Sequence, residues 1–444
     1  MSAEKNSNFT VKISNMTNEG AGVCRVEGIV VFVIGAVTDD ICEIKIIKKT
    51  KSYCVAIITK LLEPSKYRTD PECKIKRCGG CVFQSITSEY ESELKREFAV
   101  NAFKKAGIDI NVADTVSAGG TNSYRNKAQF PVYEKNGKIS FGFFAKRTHE
   151  AVGFEKCAIN PDEFSLIAQT VCTFAHSHGI SAYDETTGKG LLRHIYLRTG
   201  SGGTVLTLVV NGKTLPFANE LTSKITEKFK NVTGILININ TKNTNVITGD
   251  EYLVIYGDPL VYDELCGMRF AVAPASFYQV NHDCCEALYN KAKELLDIKP
   301  DECVVDLYCG VGTVGLCVAK NAKRLIGVEI VEEAIENAKY NAKINGADNA
   351  EFYCGDSSII KDIVKDPDAI VVDPPRKGLS DDVISAIIDL KPKKLLYISC
   401  NPDTLARDLK KLSDTYSYDI AYPFNMFPRT GHVESIVLMS RAGS

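Results

Sequence analysis

The sequence predicts an α/β chain: a mostly parallel, Rossmann-like sheet domain preceded by an OB-like β-barrel and a β-rich central domain. Three observations carry this. From about residue 260, apolar runs (CVVDLYCG, RLIGVEI, AEFYCGD, AIVVDPP, LLYISC) alternate with helical stretches such as VEEAIENAKYNAKING. That alternation is how a parallel sheet covered on both faces reads. Residues 8–66 fit five short β-branched strands broken by turn residues at Asn18-Glu19-Gly20 and Asp39-Asp40, as in a small oligonucleotide-binding barrel. Residues 115–255 are again strand-rich (KAQFPVYEKNGKISFGFF, TVLTLVVNG, GILININ). The expected boundaries are 1–66, 67–255 and 256–444.

Composition sets the broad class. A hydrophobic share of 45% and a charged share of 24% over 444 residues exclude a largely disordered chain. The polar start MSAEKNSNFT carries no signal-peptide core, and no apolar run reaches membrane-spanning length, so a soluble, cytoplasmic protein is expected. Charge is uneven along the chain. Residues 1–160 hold 24 Lys and Arg against 18 Asp and Glu, whereas the remainder holds 29 against 37. A basic front half points to a polyanionic partner. Sixteen cysteines are many for a reducing compartment, where clustered thiols suggest metal or catalysis.

Within the first domain, the block from Lys48 to Lys51 lies between two strands and is placed either to meet phosphates or to form a solvated turn. Cys73-x4-Cys78-Gly79-Gly80-Cys81 opens the second, and Cys157 follows 76 residues after Cys81. TSEYESELKREFAVNAFKKAG then reads as a charged amphipathic helix with Gly107 as its stop. In the third domain, the strand before Gly310-Val311-Gly312-Thr313-Val314-Gly315 and the helix after it form a G-x-G-x-x-G context, with Glu329 nineteen residues beyond Gly310. Such glycines let a backbone approach a ligand closely, and Glu329 suits two ribose hydroxyls. The pattern fits a dinucleotide or an adenosyl group. Asp306 tips it toward S-adenosylmethionine, because a carboxylate suits a sulfonium better than a pyrophosphate. Asp373-Pro374-Pro375-Arg376 tips it the same way, as a recurrent feature of methyltransferases acting on bases.

Strand LLYIS ends in Ser399-Cys400-Asn401-Pro402, which places a thiol at a strand tip beside the cofactor loop. Thr430-Gly431-His432-Val433-Glu434 leads into SIVLMS and brings a carboxylate to the edge of the same sheet. One reaction needs both. Uracil C5 is too weakly nucleophilic to take a methyl group directly; thiolate addition at C6 makes C5 an enolate carbon, and a base then removes the C5 proton.

The motifs SFYQVN (276–281), DLYCGVGTVGL (306–316), VVDPPRKG (371–378), YISCNP (397–402) and HVE (432–434) together resemble the RNA uracil-5 methyltransferase family, over nearly the whole chain. The branch most resembled carries an N-terminal TRAM domain and an iron–sulfur cluster and methylates 23S ribosomal RNA. The resemblance implies Cys400 as the nucleophile and Glu434 as the base. It implies Gln279, Tyr308, Glu329 and Asp373 as S-adenosylmethionine contacts, with Thr313 and Asp356 at the spacing of two more; Asp356 also reads as a helix N-cap. It further implies that the helix at about 89–107 packs on the catalytic domain.

For Cys73, Cys78, Cys81 and Cys157 the resemblance implies a [4Fe–4S] cluster. The family usually has five residues between the first two cysteines and this chain has four; Cys-x4-Cys-x2-Cys also matches a plant-type [2Fe–2S] spacing, and four thiolates suit zinc. Cations beside aromatics make Arg125, Lys127 and Arg147 the expected RNA contacts. The target uridine must leave its stack, so a loop or single-stranded segment of 23S rRNA is the expected partner. A monomer is compatible with all of this. The rival within the class acts on the transfer-RNA T loop, and its relatives usually lack both the barrel and the cysteines. Outside the class stand a non-catalytic RNA-binding iron–sulfur protein, against which intact Cys400 and Glu434 argue, and a pyridine-nucleotide oxidoreductase.

Overall fold

A computed structural model describes residues 3–441 apart from Lys76. Its first unit is a six-stranded sheet in the order Asn8–Lys12, Ile41–Lys49, Tyr53–Glu63, Ile29–Ile34, Ala21–Val26, Asn15–Met16. The stretch 8–16 pairs at its start with Ile41–Lys49 and at its end with Ala21–Val26, so the two ends of the sheet meet in a barrel. Alternate residues point inward, as a period of two requires. Ile13, Val31, Val33, Ile44 and Ile46 form the core, and Cys42 and Cys54 pack among them as small apolar side chains. Buried Asp40 ties the barrel to the next segment. It accepts from Arg68 Nε at 2.7 Å and from the Val37 and Ser65 N–H groups.

The middle unit is a seven-stranded sheet in the order Ala151–Gly153, Lys138–Phe144, Lys127–Lys135, Leu192–Gly200, Gly203–Val210, Val232–Ile239, Glu251–Gly257. Two helices that the strand-rich reading did not anticipate, Asp162–Ser177 and Ala218–Lys228, share its core. The apolar positions of the first (Phe164, Ile167, Ala168, Val171, Cys172, Ala175) recur every three or four residues, and all are buried against the sheet.

The third unit is an eight-stranded sheet in the order Ala350–Cys354, Arg324–Glu329, Cys303–Leu307, Ala369–Val372, Lys394–Ser399, Glu434–Arg441, Tyr416–Phe424, Asn111–Val112. The first five strands are parallel neighbours; Glu434–Arg441 runs antiparallel between its two partners. Two pieces of this unit come from the front of the chain. Asn111–Val112 pairs with Tyr416–Phe424 at the sheet edge. Helix Ser88–Ala106, capped by Thr87 and stopped at Gly107 (φ 73°), sends Ala99 and Phe103 into the core with Leu405, Leu409 and Tyr416. Burying the Phe103 ring alone contributes about 2–3 kcal/mol. No helix among the described residues is long and apolar enough to cross a membrane.

Candidate active site

Parallel strands bring their carboxyl ends to one edge of a sheet, which is where such folds bind ligands. Here that edge carries Tyr308 after Cys303–Leu307, Glu329 at the end of Arg324–Glu329, Asp373 after Ala369–Val372 and Cys400 after Lys394–Ser399. The antiparallel strand Glu434–Arg441 begins at the same edge. Its register pairs Ser399 with Ser435, so Cys400 and Glu434 are the next opposed positions.

The loop after Leu307 is tightly folded. Tyr308 has φ 67°, Gly310 φ 54° and Gly312 φ 83°, and the Tyr308 and Cys309 N–H groups both donate to the Val328 carbonyl. A side chain at Gly315 would put its Cβ 2.8 Å from Asp306 Oδ2, so the third glycine permits the helix to sit on the strand. The Gly315 N–H donates to that oxygen at 2.8 Å, while Asp306 Oδ1 is buried without a partner. Glu329 accepts from the Gly310 and Val331 N–H groups. Thr313 Oγ1 lies 3.1 Å from the Tyr289 hydroxyl at the start of helix Thr313–Val318. Gln279 is buried, its carbonyl held by Asn126 Nδ2 at 2.8 Å. Asp356 is exposed and caps the turn Ser357–Ile359, accepting from the Ser358 N–H and hydroxyl. In this structure its carboxylate does the work of a cap.

Burial dominates the electrostatics of this edge. Burial raises the Asp306 carboxyl to about 8, with Asp373 and Glu329 adding to it. Asp373 is half-buried, and desolvation raises it to about 7. Glu434, fully buried, is held well above the ordinary carboxylate range by burial and then by Asp373. The Cys400 thiol is pushed up to about 11 by burial, then by Glu434 and Asp373, while Arg376 pulls it down. Carboxyls raised in this way ionise more readily when a positive group enters beside them.

Cys400 opens into a cleft of about 610 Å³ whose walls come from all three units. Asn18 and Glu19 of the barrel, Gly79 and Gly80 between the cysteines, and Arg125 and Lys146 of the middle unit face Arg376, Phe427 and His432. Of the three expected RNA-contacting cations, Arg125 lies in this cleft. Lys127 sits behind it, lowered to about 8 by burial and by Arg198 and Arg125. Arg147 is turned to the barrel and donates to both oxygens of Glu19 at 2.8 and 2.7 Å. Lys146, Arg376 and His432 line the cleft and were not singled out from sequence, although Arg376 and His432 stand inside the motifs quoted above.

The four cysteines gather in one place. Cys81 packs on buried Cys157, and burial raises them to about 12 and about 11, with Cys73 and Cys78 adding to both. The Gly79 N–H donates to the Phe144 carbonyl, and a Cβ there would sit only 3.0 Å from the Lys146 backbone, tighter than an ordinary contact. Among the described residues, which exclude Lys76 of this loop, no group of three or more His, Cys, Asp or Glu is drawn in closely enough to hold an ion. The donor set itself, four thiols with no carboxylate among them, fits a thiophilic centre.

Comparison with known proteins gives the class of this site, an S-adenosylmethionine-dependent RNA methyltransferase. The model of the tRNA (uracil-5-)-methyltransferase family matches residues 89–442, and the chain belongs to that family. An RNA methyltransferase of Bacillus cereus is 40% identical, covering 99% of this chain and 97% of the relative; one from Clostridium tetani is 38% identical over 99% and 98%. Among solved structures, the Pyrococcus abyssi tRNA (uracil-54, C5)-methyltransferase with S-adenosyl-L-homocysteine superposes with TM-score 0.80 at 26% identity, covering 97% of this chain and 100% of that one. Coverage that complete includes the barrel. The barrel therefore does not separate ribosomal from transfer-RNA enzymes, contrary to the expectation from sequence.

Proposed function

We propose that the protein methylates C5 of a uridine in 23S ribosomal RNA. The observation that carries the reaction is the opposed placement of Cys400 and Glu434 on neighbouring strands, beside the carboxyl of Asp373. The Cys400 thiolate adds to C6, forming C6–S and sending the C5–C6 π pair toward O4. When bound, the cofactor would supply an electrophilic methyl group, which C5 takes, forming C5–CH3 as the sulfonium S–CH3 bond breaks. Glu434, in its ionised form, then takes the C5 proton; that bonding pair re-forms C5–C6 and C6–S breaks, returning the thiolate. In this reading Gln279, Tyr308, Thr313, Glu329, Asp356 and Asp373 hold the cofactor. Arg125 contacts RNA in the cleft, with Lys127 and Arg147 contributing positive field. Cys73, Cys78, Cys81 and Cys157 hold a [4Fe–4S] cluster that organises the cleft wall.

A transfer-RNA T-loop uridine is the second reading, favoured by the likeness to the archaeal enzyme. The test incubates purified protein and methyl-labelled cofactor with total RNA from cells lacking the protein, then maps the label. Label as 5-methyluridine in 23S fragments, lost in Cys400→Ala, supports the proposal. Label confined to transfer RNA moves the target, and label on neither RNA overturns the reaction. Iron, sulfide and zinc content of anaerobically purified protein decides the cysteine centre.

A further inference from the structure

Glu434 is reached through a loop, 425–433, whose backbone is held by parts of the chain remote in sequence. Four successive carbonyls each meet a different donor. Met426 O accepts from Asn281 Nδ2 at 3.1 Å, Phe427 O from Lys95 Nζ at 3.0 Å and Pro428 O from the Tyr124 hydroxyl at 3.0 Å. Arg429 O accepts two bonds, from the Val82 and Phe83 N–H groups at 2.8 and 3.1 Å, the two residues that directly follow Cys81.

Arg429 is the hub of this arrangement. It is buried and holds φ 67°, a left-handed conformation that costs a non-glycine residue about 1 kcal/mol or more. Its N–H donates to Glu91 Oε1 at 2.8 Å, and its guanidinium donates to the Ile86 carbonyl and to Thr121 Oγ1. Glu91 is itself buried and paired with buried Lys95 at 2.9 Å. Such a conformation persists only where the surroundings over-determine it, and these surroundings do. Just beyond, Gly431 lies so close to the Asn18 carbonyl of the barrel that any side chain would collide with it.

We infer that Arg429 is a positioning residue: it fixes the loop that aims Glu434 by anchoring it to the segment carrying Cys73, Cys78 and Cys81 and to helix Ser88–Ala106. This rests on the proposed uracil-5 reaction. The cysteine segment thus acts on the proton-removal step mechanically, through Val82 and Phe83, and takes no electrons from it. Misplacing a general base by about 1 Å costs on the order of 100-fold, so the step that should suffer is loss of the C5 proton, not cofactor binding or thiol addition.

The test uses full-length Arg429→Met and Arg429→Lys with RNA carrying tritium at uridine C5. Three quantities are followed: tritium release, covalent protein–RNA adduct on denaturing gels, and cofactor affinity by calorimetry. In Arg429→Met, tritium release should fall about 10- to 100-fold while adduct accumulates and cofactor affinity stays within about twofold of wild type; Arg429→Lys should recover part of the release. Unchanged tritium release overturns the inference, as does a parallel loss of cofactor affinity and melting temperature, which marks general loosening. If Arg429→Met does not fold, Thr121→Val removes one anchor of the same guanidinium and should give a smaller change of the same kind; no change overturns the inference. Absence of tritium release and adduct in the wild-type protein itself strikes the proposed reaction instead.

Discussion

Cofactor affinity should depend on pH through the carboxyls that burial keeps neutral. A cationic sulfonium favours the ionised forms of Asp373 and Asp306, so binding expels their protons and weakens as pH falls below their values in the free protein. The sign follows from the direction of the shifts, both upward. With Asp373 at about 7, its ionised fraction drops from about 0.9 near pH 8 to about 0.1 near pH 6. That alone weakens S-adenosylmethionine about tenfold, or about 1.4 kcal/mol; Asp306, at about 8, steepens the fall. Calorimetry across this range, in buffers of different ionisation enthalpy, measures both affinity and protons released. S-adenosylhomocysteine has a neutral sulfur and should show a shallower dependence, and Asp373→Asn should flatten the curve for the cation. Equal slopes for the two ligands, or no proton release, would refute the reasoning.

Other perturbations have equally definite outcomes. Glu434→Gln should leave cofactor binding intact and trap the RNA adduct, read on denaturing gels, whereas Cys400→Ser should give neither adduct nor product. Gly312→Ala forces a side chain into φ 83° against Leu316 and Phe352, and should cost about 1–2 kcal/mol of cofactor affinity by calorimetry. Asp40→Ala leaves Arg68 without its buried partner and should cost about 2–4 kcal/mol in denaturant unfolding of the barrel unit. Removing metal with a chelator under reducing conditions should lower the melting temperature while cofactor affinity changes less than about twofold.

The catalytic sheet was legible because its strands are apolar on both faces and its helices are strongly periodic, and the glycine loop sits between a strand and a helix as its chemistry demands. Cys400 and Glu434 could be placed at one edge for the same reason: strand ends are easy to read when strands are. Helix Asp162–Ser177 was lost among strands although its apolar spacing is helical, because its β-branched and aromatic content resembles that of its neighbours. The pairing of Asn111–Val112 with Tyr416–Phe424 was invisible, since two residues carry no periodicity. Lys127 and Arg147 show the limit of reading cations beside aromatics. Alternation sends Lys127 to a crowded face beside Arg198, and a partner supplied by Glu19, more than a hundred residues earlier, captures Arg147. Arg429 carried no motif at all; its importance lies in bonds that its backbone and its guanidinium make to residues some three hundred positions earlier.

The sheet order also makes the catalytic unit depend on contacts far apart in the chain. Glu434–Arg441 is inserted between strands that precede it in the chain, and Lys95 waits 330 residues for its partner Asn425. Long-range closures of this kind are slow, and until the final strand arrives Lys394–Ser399 offers an unpaired apolar edge. A chain cut short before Glu434 would therefore expose an apolar edge prone to aggregate while already carrying Cys400. In the proposed reaction, the base then joins the thiol only when the inserted strand pairs with Lys394–Ser399.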